Sequence, residues 1–161
     1  MEKKRTLFEF NNYKWDGISL IDYKPADNSE VTFHNVSRQN IFESKDDINF
    51  DVRYFECGAD GFTTLEKHAH AHVVMVLRGR GKIIIENEIK DVKPFDMVVI
   101  PTMCAHQLIN TGKEPFGFVC TVNAERDKFQ LLSKDELDEL SRDTKVRKVM
   151  RVTEGYNNIS K

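Results

Sequence analysis

The chain has 161 residues, with 24 Lys and Arg against 26 Asp and Glu, for a formal net charge of −2. Such a length fits one domain, and this balance denies the basic footprint that nucleic acid or an anionic membrane requires. No apolar run approaches the ~18 residues of a spanning helix.

The start, "MEKKRTLFEFNNYKWDG", is charged and lacks the apolar stretch of a signal peptide. Phe8, Phe10, Tyr13, Trp15 and Tyr23 are scattered through an otherwise polar opening of about thirty residues, which is expected to lie as an arm against the body. From residue 50 onward, short strands alternate with turns. "FDVRYFEC" (50–57) reads as a strand closed by "GADG". "VVMVL" (73–77) and "KIIIENEIK" (82–90) are separated by "RGRG", whose glycines can supply positive φ. A hairpin turn is expected near Glu86 and Asn87. "MVVIP" (97–101) and "FGFVCTVN" (116–123) follow, with "NTGKEP" as a further turn. In the last of these, Phe116, Phe118, Cys120 and Val122 share one face. "SKDELDELSRD" predicts a short amphipathic helix capped by Ser133. "KVRKVMRV" (145–152) fits helix or strand equally. The resulting organisation is an arm over 1–45, an all-β barrel over 46–125 and a helical extension over 126–161. Three cysteines, Cys57, Cys104 and Cys120, show no C-x-x-C pairing and suit reduced thiols in the cytoplasm.

The chemistry gathers in "LEKHAHAHVVMVLRGRG" (65–81). Glu66, His68, His70 and His72 fall on one parity, so they share a side of an extended chain. Imidazole is the commonest biological ligand for transition metals. Residues 66 and 72 would lie roughly 20 Å apart on a straight strand, so they can share an ion only where the chain bends. His106 must come from another strand. His34, isolated in "VTFHNVSR", is read as a bystander, Cys104 as a small buried side chain, and the Arg78–Arg80 turn as solvated. Gln107 and Tyr54 are candidate hydrogen-bond donors in a cavity.

These residues resemble the cupin superfamily, whose first motif is G-x5-H-x-H-x3,4-E-x6-G and whose second is G-x5-P-x-G-x2-H-x3-N. Anchored on Gly79, the first motif puts His72 at its glutamate, His68 at its second histidine and Glu66 at its first. In the second, Pro101, His106 and Asn110 keep their spacing, while Phe95 and Met103 stand where the motif has glycine. The resemblance covers about residues 50–123. It implies a double-stranded β-helix, or jelly-roll barrel, holding a divalent ion among His68, His72 and His106, with Glu66 or His70 as fourth ligand. Iron, manganese, nickel, cobalt, copper and zinc all suit such a set. It also implies a mostly apolar cup lined by Val74, Leu108, Phe116 and Phe118, open to a small oxygen-bearing substrate.

Two functions follow from that resemblance. The first is a metal-dependent enzyme of dioxygenase, isomerase, decarboxylase or lyase type. The second is a non-catalytic module that binds or senses a metal or small ligand. Cupins pair through their barrels, so a homodimer covering Val73, Met75 and Leu77 is expected, with no nucleic-acid or membrane partner.

Overall fold

β-branched and aromatic side chains on alternating positions make the middle of this chain a succession of strands. The computed structural model describes residues 6–24, 32–44 and 48–159, so the parts of the expected arm at 1–5, 25–31 and 45 lie outside the described residues. In chain order the strands are β1 (Phe10–Asn11), β2 (Lys14–Trp15), β3 (Ile21–Asp22), β4 (His34–Phe42), β5 (Phe50–Phe62), β6 (Glu66–Lys67), β7 (His72–Arg78), β8 (Gly81–Ile85), β9 (Glu88–Val92), β10 (Met97–Ile100), β11 (His106–Asn110), β12 (Phe116–Asn123) and β13 (Gln130–Leu131). Three helices close the chain: α1 (Lys134–Arg142), α2 (Thr144–Val149) and α3 (Glu154–Ile159).

Apart from the β1–β2 hairpin, the described strands form one curled antiparallel sheet in the order β10-β7-β12-β5-β11-β6-β13. β4 and then β3 continue from β5, while β8 and then β9 continue from β11. This is the all-β jelly-roll barrel expected from the sequence. Its inner face carries Phe55, Val74, Val76, Ile83, Leu108, Phe116 and Phe118 in one buried cluster. β11 is buried throughout because both its faces are covered. Leu108 points into the barrel cluster, whereas Ile109 joins Ile84, Leu140, Val146 and Tyr156 in a second cluster under the helices.

The C-terminal extension is therefore a lid on the outer face of the β8–β11 ladder. Ser133 caps α1 with a reciprocal capping box to Glu136. The undecided stretch that follows is helical, because the Asp143 carboxylate accepts from the Lys145 and Val146 N–H groups and starts α2. Gln107 fastens the extension: its Nε2 donates to the Arg151 carbonyl and its Oε1 accepts from the Arg151 N–H.

One sequence reading is corrected. β5 does not stop at "GADG" but runs on to Phe62. A Cβ at Gly58 would lie 2.3 Å from Asn35 Nδ2, and one at Gly61 2.7 Å from the Asn35 carbonyl, so these glycines admit β4 rather than end the strand. Conversely, the residues replacing the motif's glycines keep a glycine-like backbone: Phe95 has φ 75° and Met103 φ 58°. A left-handed conformation costs a side-chain-bearing residue about 1–2 kcal/mol, so the turns themselves are what this scaffold retains. The turn at Glu86 (φ 51°) falls where expected.

On the first part of the chain, the β1–β2 hairpin lays Tyr13 and Trp15 over Tyr54, with ring centroids 6.3 and 5.1 Å away. Tyr23 is buried in the barrel cluster. β4, inside the segment expected as arm, pairs with β5 along most of its length.

Candidate metal centre

The bend that the histidine spacing demands lies between β6 and β7. β6 ends at Lys67 and β7 starts at His72, and the intervening residues turn so that imidazoles stack instead of splaying. The His68 and His70 rings lie 3.7 Å apart at 4°, and those of His68 and His72 4.4 Å apart at 9°. The turn is held by a Met103 N–H bond to the His68 carbonyl, which ties the two motif loops together. His106 arrives at the start of β11, opposite Glu66 of β6 and Ile85 of β8, and its ring meets His68 edge-on at 4.8 Å.

The nitrogens of His68, His72 and His106 form a group whose ligand atoms all lie within 4.8 Å of one another. Hydrogen bonds at the far side of each ring decide which nitrogen faces inward. His68 Nδ1 is 2.8 Å from the His70 carbonyl, and His106 Nδ1 is 2.9 Å from the Cys104 carbonyl. A carbonyl only accepts, so both Nδ1 atoms carry the proton and both Nε2 atoms present a lone pair. His72 Nδ1 meets Cys120 Sγ at 3.2 Å. The buried Nε2 atoms of His68 and His72 have no hydrogen-bond partner. Burial, then neighbouring His106, drives the pKa of His72 far down and that of His68 to about 4; burial also lowers His106. Neutral, preoriented imidazoles with orphaned nitrogens fit a divalent transition metal.

Glu66 and His70 line the same cavity but stand outside that group of ligand atoms. The Glu66 carboxylate is ion-paired with Lys24, whose Nζ also donates to Thr64 Oγ1 at 3.0 Å. Burial, against the pull of Glu66, lowers the Lys24 pKa. His70 Nδ1 lies 2.7 Å from Asp127 Oδ1, and the other Asp127 oxygen accepts from the Ala69 N–H. That N–H bond, then His70, holds the Asp127 carboxyl down at about 2.

The cavity measures about 250 Å³. Val74, Leu108 and Phe118 line it together with Phe55. Phe116, expected in the lining, is instead fully buried beneath Gly81 and packs behind the cavity-lining Phe118, with ring centroids 5.3 Å apart. Gln107 and Tyr54 are not cavity donors: Gln107 bonds Thr63 and Arg151, and the Tyr54 hydroxyl donates to Glu56. His34 is exposed. Cys104 contributes its carbonyl, not its thiol. Sequence reasoning passed over Lys24, Arg38, Arg53, Cys120, Arg126 and Asp127, all of which line or brace the site. The buried parity of Cys120 was legible; its histidine partner was not.

Comparison with known proteins agrees with this fold. The family model described as "Cupin domain" matches residues 54–122. The chain is 41% identical over 136 residues to the 1-methylthio-D-xylulose 5-phosphate methylsulfurylase of Rhodospirillum rubrum, covering 84% of this chain and 85% of that one. Among solved structures, a cupin 2 conserved barrel domain protein from Rhodopseudomonas palustris superposes with TM-score 0.78 at 40% identity, over 86% of this chain and 93% of that one. A cupin-2 domain structure from Rhodospirillum rubrum gives TM-score 0.77 at 40% identity, over 89% and 95%. The polyketide cyclase RemF of Streptomyces resistomycificus shares the fold at 15% identity, with TM-score 0.60 over 81% and 100%.

Proposed function

The chain belongs to the cupin family, and on that footing we propose that it is a metal-dependent enzyme acting on a small keto-sugar phosphate that carries a thioether. The observation that carries this reading is the convergence of His68, His72 and His106 on a cavity that also holds a buried thiol and a Lys24–Glu66 pair. The name of the Rhodospirillum rubrum relative describes a five-carbon ketose with methylthio at one end and phosphate at the other, and this chain is assigned a substrate of that type. His68, His72 and His106 hold the divalent ion, with Glu66 and His70 flanking them.

A divalent ion at this place supplies Lewis-acid polarisation of the substrate's carbonyl oxygen. The remaining work falls to the chain's own groups. Phe55, Val74, Leu108 and Phe118 give an apolar wall for the methylthio end and keep water from the reacting carbon. Lys24 holds a proton at Nζ between Glu66 and Thr64 on the cavity wall. As an external thiolate attacks the methylthio sulfur, an S–S bond forms, the C–S bond breaks with its electron pair left on the carbon as an enolate, and Lys24 protonates that carbon. Asp127 pins the segment carrying Lys128 and Phe129 across the mouth through Ala69 and His70.

The reading includes a homodimer. β10 is an edge strand of the sheet, and Met97 and Val99 on it, Val73 on its neighbour β7 and Phe95 in the turn before it are exposed; pairing would cover them, as unpaired apolar edges ordinarily are. Three free thiols support a reducing compartment. No helix among the described residues is long and apolar enough to cross a membrane.

The test is chemical. Tag-free, metal-loaded protein is incubated with 1-methylthio-D-xylulose 5-phosphate and dithiothreitol, and products are followed by mass spectrometry. Loss of the methylthio group, abolished by chelation, supports the reading; intact substrate after many equivalents of enzyme-hours overturns it in favour of a binding module.

A further inference from the structure

Three guanidinium groups line the cavity that the histidines share: Arg38 on β4, Arg53 on β5 and Arg126 beyond β12. Arg126 has a counter-charge, the Asp51 carboxylate at 2.7 Å, and two carbonyls besides. Arg38 and Arg53 form no ion pair with any described carboxylate, and the Nε of each is buried without a hydrogen-bond partner. Among the other charged groups lining the cavity, Lys24 pairs with Glu66 and His70 with Asp127, while Lys128 is a further cation at its edge. The β4–β5 register puts Arg38 opposite Phe55 and Arg53 opposite Asn40, so the two guanidinium side chains rise from diagonal positions of one inward face. Arg53 Nη2 comes to 4.0 Å from Cys120 Sγ, the sulfur that also touches His72. Burial first, and Arg53 next, depress the basicity of Arg38. Two like charges brought together with buried, unsatisfied donors are costly unless a ligand supplies the acceptors.

We propose that Arg38 and Arg53 form the anchor for the substrate's phosphate, on the β4–β5 wall of the cavity that holds the metal centre. A phosphomonoester carries three acceptor oxygens and up to two charges, and guanidinium groups match it bidentately. Such a ligand completes the orphaned Nε donors and neutralises the pair. The anchor also sets polarity: with the phosphate at Arg38 and Arg53, a short ketose presents its opposite end to His68, His72 and His106. This assignment rests on the keto-sugar phosphate reading and specifies which residues confer it.

Binding by isothermal titration to metal-loaded protein tests it independently of turnover, with D-xylulose 5-phosphate, D-xylulose and inorganic phosphate as the probes. The phosphorylated sugar is expected to bind at least 100-fold more tightly than the free sugar, and inorganic phosphate is expected to compete with it. Arg38→Gln and Arg53→Gln should each weaken the sugar phosphate at least 10-fold while leaving bound metal unchanged. Arg38→Lys and Arg53→Lys, which keep the charge, should retain more affinity than the Gln variants and serve if those fail to fold. Equal affinity for the two sugars, or Gln variants within 2-fold of the parent, overturns the anchor. Phosphate-dependent binding without any release of methylthio would leave the anchor standing and sink the proposed reaction instead.

Discussion

Cys120 and His72 meet across the β12–β7 ladder, with Sγ 3.2 Å from Nδ1. Burial pushes the Cys120 thiol up to about 11, so it is a neutral S–H at physiological pH. A neutral sulfur beside Nδ1 leaves Nε2 as the nitrogen that faces His68 and His106. Partners at this remove usually change metal affinity 10–100-fold when lost. Cys120→Ala is therefore expected to weaken metal binding by about that factor, and Cys120→Ser by less. Competition against a chromogenic chelator measures both; an Ala variant that holds metal as tightly as the parent would show the contact to be idle.

The metal-free protein should lose stability in mild acid. His68, His72 and His106 have folded pKa values below the ordinary 6.5, His68 at about 4. Between pH 6.5 and 4 the unfolded chain takes up protons that the folded chain refuses, so stability falls as pH falls. Each such histidine contributes about 1.4 kcal/mol per pH unit across the interval it spans. Above 6.5 these groups are neutral in both states and the curve is flat on their account. Urea midpoints at pH 7.5, 6 and 5 follow this directly; a midpoint constant over that range would contradict the burial assigned to the cluster.

Gly117 packs under the arm. A Cβ there would lie 1.9 Å from the Tyr54 hydroxyl, which is itself buried under Tyr13 and Trp15 and bonded to Glu56. Overpacking of this kind costs about 1–3 kcal/mol, and Gly117→Ala is expected to lose that much in urea unfolding. Adding Tyr54→Phe should return part of it. An Ala variant as stable as the parent would mean that the arm does not press on β5.

The proposed dimer is tested on its edge strand. Met97 and Val99 are about three-fifths exposed, and in a dimer Met97→Glu or Val99→Lys places a charge in the contact. Each is expected to convert the protein to a monomer in sedimentation without altering its circular dichroism. A parent chain that already sediments as a monomer at micromolar concentration removes the proposal.

The barrel and the three histidines were legible because their signals are local. Alternation from Phe116 to Val122 marks a half-buried strand, and His68, His72 and His106 keep motif spacing. What escaped was set by pairing at long range. Arg38 faces the cavity only because β4 registers against β5, and Asp127 matters only because its loop returns to Ala69 and His70, 57 and more residues earlier. Glycine misled in both directions. Gly58 and Gly61 accommodate a neighbouring strand where a turn was expected, whereas Phe95 and Met103 adopt the left-handed backbone without being glycine. Tyr54 and Gln107 were candidates for cavity donors, but each lies on the opposite parity of its strand from the cavity-lining Phe55 and Leu108.

The central claim is that three imidazoles from two distant segments close on one ion. Elemental analysis of tag-free protein, set beside the His68→Ala, His72→Ala and His106→Ala variants, puts it to the test. One divalent transition-metal ion per chain in the parent, lost from each well-folded variant, is the predicted result. A parent free of metal after growth in metal-replete medium, or variants that keep a full equivalent, would contradict it.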